Sequence, residues 1–306
     1  MRRYGFESWD VLGSVKGAAL EGVLFKHPFY AREVPLICGD HVTIEAGTGL
    51  VHTAPGHGLD DYVVGQKYKL LVDNPVGDDG NFYDKTPLVG GQSIWAGNKT
   101  VIETLTQNGL LLKEEKLKHS YPHCWRHKTP IIFRATSQWF IGMDVEKQAS
   151  GVGRQASGKT LREQAMASVD ATAFYPAWGR ARLEAMIKNR PDWCVSRQRF
   201  WGVPMPLFVH KETSALHPRT QELIAQVTAR VEQSGIEAWF SLDPQELLGA
   251  EAAQYRKVSD TLDVWFDSGA THACVLKRRD YLQHPADLYL EGSDQHRGWF
   301  QSSLLT

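Results

Sequence analysis

Residues 47–62, GTGLVHTAPGHGLDDY, place four glycines, two histidines and two adjacent aspartates within sixteen positions. Glycine lets a backbone approach a ligand closely, and His with Asp supplies titratable hydrogen-bonding groups. His52 and Asp61 flank Gly56 and Gly58 and could orient a water molecule and hold a cation. The alternative is a strand that runs into a tight turn at Pro55, with a histidine that is satisfied in the core.

A second group of polar residues lies in LYLEGSDQHRGWFQ, residues 288–301. Glu291, Asp294 and Gln295 follow an apolar run that predicts a strand, and Gly292 permits close approach of a ligand. A carboxylate here could hold an ammonium group or a pair of ribose hydroxyls, because a buried carboxylate without a partner is costly. The alternative is an exposed loop, which is where charged residues usually lie.

Residues 192–208 place hydrogen-bond donors among aromatic side chains. Arg197, Gln198 and Arg199 are followed closely by Trp201, a combination that suits contact with phosphates and stacking on bases. The alternative is a loop at a sheet edge whose arginines pair with carboxylates.

Two further motifs lack the context that their chemistry needs. GRQASGKT, residues 153–160, has the spacing of a phosphate-binding loop, but no apolar strand precedes it, so we expect an exposed connection. Cys124 and His127 have a C-x2-H spacing, yet zinc normally takes two close pairs of ligands, so we predict no zinc. A nucleotidase using Lys159 and a zinc protein using Cys124 remain the alternatives.

Composition is ordinary for a globular protein of about two domains. The chain has 306 residues, is 42% hydrophobic and 23% charged, and carries a formal charge of -1, so no global basic field points to nucleic acid. A local basic patch remains compatible with that total. No apolar run approaches a membrane span, and the four cysteines form no C-x2-C pair, which favours a reducing, cytoplasmic setting.

The pattern of apolar residues and turns predicts how the elements follow one another. Residues 1–115 read as a mostly β module with a few helices, one of them over 97–109 and beginning near Asn98 or Thr100. Residues 116–145 read as strands, and helices are expected from about Thr160 and over 179–190, the second one stopped by Pro191.

From Trp193 onward the pattern becomes α/β. It predicts strands over 203–210, 261–269 and 286–294, and helices over 219–235 and 295–305. The last two strands end in acidic residues and glycine, at the position where open α/β sheets bind ligands.

Taken together, these motifs resemble bacterial-type isoleucyl-tRNA synthetases, and they cover nearly the whole chain in the order of that family. The resemblance rests on GTGLVHTAPGHGLDDY, SYPHCWRHKTPIIFRAT, NRPDWCVSRQRFWGVP, TLDVWFDSG and LYLEGSDQHRGWFQSSLLT. It implies an α/β fold in three parts. Residues 1–115 would be an editing domain of mostly β structure, 116–190 a connection, and 191–306 the second half of a Rossmann-type catalytic domain.

The resemblance also implies roles for individual residues. Asp61 would hold the α-ammonium of a misattached valine, and His52 would form the wall of the editing pocket and help to exclude isoleucine. The aminoacyl-adenylate would be contacted by Glu291, Gly292, Asp294 and Gln295, with Trp265 near the side-chain pocket. Ser293 and His296 are adjacent to these residues.

The implied substrates are isoleucine, tRNA(Ile) and ATP with Mg²⁺, for a monomeric enzyme that also hydrolyses valyl-tRNA(Ile). The threonine-rich editing peptide and both ATP motifs of the family do not occur in the 306 residues, so an internal fragment without isoleucine activation of its own is expected. The loop 146–160 departs from the family pattern. Some relatives hold zinc near Cys124, but the C-x2-C pair is lost here. A non-catalytic RNA-binding module that uses Arg197–Trp201 is the alternative function.

Overall fold

The structure, a computed structural model, describes residues 4–43, 47–146 and 158–306. The chain divides into two compact units, Met1–Thr136 and Ser137–Thr306. Within the described residues, no helix has the length and apolar character that crossing a membrane requires.

The described residues of the first unit form two α-helices, a 3-10 turn over Gly17–Leu20 and one short strand pair. Strands β1 (Leu24–Lys26) and β2 (Glu33–Pro35) pair antiparallel, and the helices are α1 (Leu59–Lys67) and α2 (Ile94–Gln107). Helix α2 begins three residues before the predicted bound, because the Ser93 side chain accepts a hydrogen bond from the Ala96 amide at 3.2 Å. Ser93 therefore caps this helix, and the prediction that it begins near Asn98 or Thr100 was wrong.

The mostly β character predicted for residues 1–115 is not confirmed. Residues 51–54 of the predicted strand GTGLVHTA have no regular structure, and both Leu50 and Val51 are exposed. An apolar run forms a strand only where a neighbour takes up its backbone hydrogen bonds and side chains. Among the described residues of this unit, the buried apolar side chains are Val64, Val76 and Val89.

The second unit alternates helices with short strands. Its strands pair antiparallel as β3 with β4, β5 with β8, and β6 with β7. In chain order the elements are β3 (Phe140–Ile141), α3 (Leu161–Asp170), α4 (Trp178–Lys188), β4 (Trp193–Cys194), β5 (Ser196–Arg197), β6 (Phe208–His210), α5 (Thr220–Ser234), α6 (Glu237–Phe240), α7 (Gln245–Leu248), β7 (Tyr255–Lys257), β8 (Thr261–Leu262), α8 (Val264–Gly269) and α9 (Trp299–Leu305).

Two of the three apolar clusters among the described residues join the helices of this unit to its strands. In the first, Met143, Val169 and Ile187 pack with Trp193 and Leu305, so that α3, α4 and α9 share one core. In the second, the buried face of α5 packs against β6 and α6, and its members are Phe208, Leu223, Val227, Trp239, Leu242 and Leu248.

The helices predicted from Thr160, over 179–190 and over 219–235 are confirmed to within two residues, whereas the helix predicted over 295–305 begins only at Trp299. Thr160 and Glu163 form a capping box that starts α3, since the Thr160 hydroxyl accepts from the Glu163 amide at 3.2 Å and the Glu163 carboxylate accepts from the Thr160 amide at 2.7 Å. Helix α4 ends at Lys188, shortly before Pro191, and α5 ends at Ser234, before Gly235 with a φ of 75°.

The strands predicted for the second unit are mostly wrong. Only Thr261–Leu262 of residues 261–269 is a strand, because the Asp263 carboxylate accepts from the Trp265 amide at 3.2 Å and starts helix α8 there. Residues 286–292 form no strand, and Leu288 and Leu290 are exposed. Within residues 203–210, the strand covers only Phe208–His210.

The class prediction holds in its coarse form, since helices and strands are mixed along the chain. In the described part of the chain all strand pairs are antiparallel and two-stranded, so the parallel sheet of a Rossmann fold is not seen there. The boundary between the compact units follows Thr136 and does not coincide with the predicted bounds at residues 115 and 190. The division into an editing domain, a connection and a catalytic part stays a prediction.

Candidate functional site

The glycine-rich turn at residues 55–58 is packed too closely for larger residues. A Cβ atom at Gly56 would overlap the carbonyl oxygen of Asp73, and one at Gly65 of α1 would lie 2.7 Å from the Pro55 ring. The turn is also tied to a later segment, because the Ala135 amide donates to the Gly56 carbonyl at 2.6 Å. Glycine is thus needed at position 56 because the Asp73 backbone approaches it closely.

The histidine that this turn engages is His57, which sequence reasoning did not select. Its Nδ1 lies 2.9 Å from the Phe133 carbonyl oxygen. His52 lies in the preceding segment with an exposed side chain, near enough to His27 to help lower the pKa of that imidazole, after burial and Arg32.

Asp61 lies in the first turn of α1, where a negative charge favours the helix dipole. Its Oδ2 lies 2.7 Å from the position that a Cβ at Gly58 would occupy, so the carboxylate folds back over the residue that caps the helix. No hydrogen bond or ion pair links the described side chains of His52 and Asp61. Their roles in editing stay a prediction.

In the second unit, Trp265 and Gln295 converge on Gly298, which immediately precedes α9. A Cβ at Gly298 would overlap Oε1 of Gln295 and would lie 2.9 Å from Cη2 of Trp265. Oε1 of Gln295 also accepts from the Trp299 amide at 3.0 Å, which fixes the side chain over the start of α9. Two predicted adenylate-binding residues, 30 positions apart in sequence, are therefore neighbours in space.

The remaining predicted residues of this group lie on the exposed segment that leads to Gln295. Gly292 precedes a 3-10 turn over Ser293–His296, and Nε2 of Gln295 donates to Oδ2 of Asp294 at 3.1 Å. Glu291 is exposed, and its charge adds to burial in raising the pKa of the Tyr289 hydroxyl. The Tyr289 ring stacks on Trp299 with centroids 3.4 Å apart, so this segment lies against α9.

A buried carboxylate positions the helix that carries Trp265. Asp263 accepts from the Trp193 indole at 3.0 Å, from Arg197 at 2.8 Å and from the Trp265 amide at 3.2 Å. The Asp263 side chain is 7% exposed, so these partners replace the water that a buried charge loses. One turn later, burial and the charge of Asp263 raise the pKa of Asp267 to about 6.

The four predicted tRNA contacts differ in how far they are already engaged. Arg197 binds Asp263 and also donates to the carbonyls of Cys194 and Ser196, each at 2.8 Å. For this arginine, the alternative of pairing with a carboxylate is therefore observed. Gln198 donates to Asp260 at 3.1 Å.

The other two predicted contacts are more open. Arg199 and Trp201 are exposed, and the one hydrogen bond of the Arg199 side chain within the described chain goes to the Gln198 carbonyl at 3.3 Å. Both side chains are thus available to a partner.

The alternative motifs gain no further support. Residues 153–157 of the phosphate-loop pattern lie outside the described residues, and Thr160 serves as the cap of α3. The Cys124 thiol lies 3.5 Å from the His127 ring, and hydrogen bonds from the amides of His127 and Arg126 lower its pKa. In the described ranges, no group of three or more His, Cys, Asp and Glu residues is arranged to hold a metal ion.

Comparison with known protein families shows which family the chain belongs to. The model of the tRNA synthetases of class I (I, L, M and V) matches residues 30–306. The chain belongs to that family. The class I synthetase domain therefore covers both Gly56 and the convergence of Trp265 with Gln295, and it confirms the family resemblance found in the sequence.

Three curated relatives give a finer comparison. Each is an isoleucine–tRNA ligase: that of Thiobacillus denitrificans is 70% identical over 99% of the chain, that of Chromobacterium violaceum 64% over 100%, and that of Nitrosomonas europaea 63% over 100%. The chain spans about a third of the length of each relative, 33%, 32% and 32% respectively.

Within this class I synthetase chain, sequence reasoning missed the residues that position the predicted ones. Gly298 stands in QHRGWF, and nothing in that local sequence indicates that Trp265 is its neighbour in space. Asp263 precedes the apolar run VWF, so its capping role was readable as a helix start. Its hydrogen bonds to Trp193 and Arg197 join positions 70 and 66 residues apart, and a local sequence pattern cannot predict contacts over such separations.

Proposed function

We propose that this chain is part of an isoleucine–tRNA ligase, which activates isoleucine with ATP and Mg²⁺ and transfers it to tRNA(Ile). The observation that carries the proposal is the 70% identity, over 99% of the chain, to the isoleucine–tRNA ligase of Thiobacillus denitrificans. In this proposal residues 191–306 are the second half of the catalytic domain and residues 116–190 connect it to the editing domain. The enzyme works as a monomer in the cytoplasm.

The adenylate-binding role proposed for Trp265, Gln295, Gly292, Asp294 and Glu291 is supported by their local geometry. The Trp265 indole offers an apolar surface for the isoleucine side chain, beside the amide of Gln295. Asp294 orients that amide through its bond to Nε2, while the exposed carboxylate of Glu291 remains free to accept from a ligand ammonium or hydroxyl group.

A second activity, hydrolysis of valyl-tRNA(Ile), follows from the limits of binding. One methylene in an apolar pocket is worth only about 1–3 kcal/mol, and isoleucine against valine is the standard example of this limit. We assign the corrective pocket to residues 1–115, with the Asp61 carboxylate as the anchor of the valine ammonium and His52 in the wall. The tight turn at Gly56 supports this assignment, because it leads directly into the first turn of α1, which carries Asp61.

The test of activation is a chimaera in which residues 1–306 replace the matching third of the Thiobacillus ligase. We expect isoleucine-dependent exchange of pyrophosphate into ATP, and Gln295→Ala should raise the KM for isoleucine at least about tenfold, since a hydrogen bond to a charged ligand is lost. Gln221→Ala, on the exposed face of α5, is the matched control. A chimaera that folds but supports no exchange would refute the proposal.

The test of editing uses two adjacent carboxylates in the same helical turn. Asp61→Ala in the chimaera should abolish hydrolysis of valyl-tRNA(Ile) and spare isoleucine activation, whereas Asp60→Ala, which removes an equal charge from α1, should leave both unchanged. Equal loss in both variants would mean that only the helix charge matters, and unchanged hydrolysis in Asp61→Ala would remove this residue from the site.

A non-catalytic RNA-binding module is the second candidate function, favoured by the exposed Arg199 and Trp201. It predicts that the purified chain binds tRNA with a steep dependence on salt, and that Arg199→Gln makes this dependence shallower. Binding of RNA together with failure of the chimaera to exchange pyrophosphate would favour the module over the ligase.

A further inference from the structure

Three arginines line one hollow in the second unit, and one of them, Arg297, directly precedes Gly298 in the chain. The hollow has a volume of about 510 Å³, a size typical of ligand sites, and it lies between the end of α4 and α9. Among the described residues, its lining contains Arg182, Arg190 and Arg297 and no acidic side chain.

None of these guanidinium groups is neutralised by an ion pair with a described residue. Arg190 lies with its guanidinium carbon 5.2 Å from the Trp193 ring centroid, and its Nε is buried without a hydrogen-bond partner. Burial lowers the pKa of Arg190, while Asp263 opposes that shift. Asp263 is already bonded to Arg197, and the Nε–H donor of Arg190 has no acceptor among the described residues.

The carbonyl end of α4 would ordinarily repel an anion at this place, because the helix dipole is negative there. Arg162 removes that obstacle: it donates to the carbonyls of Ile187 at 2.6 Å, Lys188 at 3.1 Å and Arg190 at 2.8 Å. The charge of Arg162 is itself balanced by Asp144 at 2.7 Å. The positive charges at the hollow are therefore left without a counter-charge from the helix end.

We propose that this hollow binds a phosphate group, held by the guanidinium groups of Arg182, Arg190 and Arg297. Guanidinium presents paired donors that match phosphate oxygens, which makes phosphate the fitting class of anion. The phosphate belongs either to a free phosphate or pyrophosphate ion or to the backbone of an RNA strand. The site stands independently of the proposed ligase function, since it follows from unpaired charge alone.

The experiment measures binding to the purified 306-residue chain by titration with inorganic phosphate, with pyrophosphate and with a twelve-nucleotide polyuridine. The test variant is the double substitution Arg182→Gln and Arg297→Gln, because both side chains are exposed and their loss leaves the core intact. Its control is Arg256→Gln with Arg279→Gln, which removes two exposed arginines that do not line the hollow.

We expect the test variant to weaken binding at least about tenfold and the control to change it less than about twofold. Weakened binding of phosphate or pyrophosphate assigns the site to a free ion. Weakened binding of polyuridine alone, with a salt slope shallower by about 0.7, assigns it to one backbone phosphate. The proposal is overturned if no probe binds, if the test variant binds as well as the parent, or if the control loses as much.

A measurement on the unaltered chain keeps the proposal testable should the variant fold poorly. The Nε–H resonance of Arg190, assigned by Arg190→Lys, should shift on addition of the probe that binds, because this donor lacks a partner. An unmoved resonance at saturation would place the anion elsewhere and overturn the assignment.

Discussion

Replacing Asp267 by Asn should stabilise the second unit at alkaline pH and leave its stability unchanged at acid pH. Burial, with a contribution from Asp263, raises the pKa of Asp267 from 3.8 to about 6. The folded state therefore holds this proton more tightly than the unfolded state does. The contribution of Asp267 to stability is greatest below pH 4, falls as the pH rises from about 4 to 6, and stays at the lower value above that range.

The magnitude follows from the shift. About two pH units at 1.36 kcal/mol each give an upper limit of about 3 kcal/mol for the cost of ionising Asp267 in the folded state. The carboxyl group is only partly buried, so solvent screens part of that cost and about 1–2 kcal/mol remains. Asparagine keeps the shape and polarity of the side chain and removes the charge, so the gain at pH 8 should equal this remaining cost.

The assay is urea unfolding followed by tryptophan fluorescence at pH 4 and pH 8. Asp280→Asn is the control, since Asp280 is exposed and the substitution removes the same charge. An equal gain at both pH values would mean that asparagine acts through packing, and no gain at pH 8 would mean that the ionised carboxylate is not strained. Either result refutes the reasoning from burial.

Three further substitutions test the local geometry. Asp263→Ala should lower the free energy of unfolding by about 1–3 kcal/mol, because it leaves the buried Trp193 indole without its acceptor and removes one of the partners of Arg197. Urea unfolding with an unchanged midpoint would contradict this. Gly298→Ala should raise the KM for isoleucine in the chimaera, because the added methyl displaces Gln295, whereas Gly13→Ala meets no atom within 4 Å and should have no effect on pyrophosphate exchange. Thr160→Ala should cost about 1 kcal/mol through loss of the capping box, and a thermal midpoint equal to that of the parent would count against it.

The parts of the fold that the sequence predicts are those whose signals are local. Thr160 and Glu163 three positions later start α3, and Gly235 follows α5, so both bounds lie within a few residues of the signal. Strands depend instead on a partner that local pattern does not specify. Leu288 and Leu290 alternate as a strand would, yet they are exposed and no strand forms there.

The apolar run after Asp263 is compatible with either a strand or a helix. Val264, Trp265 and Phe266 suit a buried strand, but a run this short does not separate strand from helix. The capping carboxylate decides, because it satisfies the Trp265 amide and lets α8 begin at Val264. The consequence for the site is direct, since a helix and not a strand end brings the Trp265 indole against Gly298.

Arg197 illustrates why a structural partner does not remove a residue from a binding role. A guanidinium has five N–H donors, and here both donors of one terminal nitrogen go to the carbonyls of Cys194 and Ser196 while the other nitrogen binds Asp263. Two donors remain, on a side chain that is 38% exposed. Since the ion pair fixes the orientation of the plane, those two donors are held in place before any phosphate arrives, and the entropy cost of ordering a free arginine is avoided. The bond to Asp263 and a contact with RNA are therefore compatible, and the first would strengthen the second.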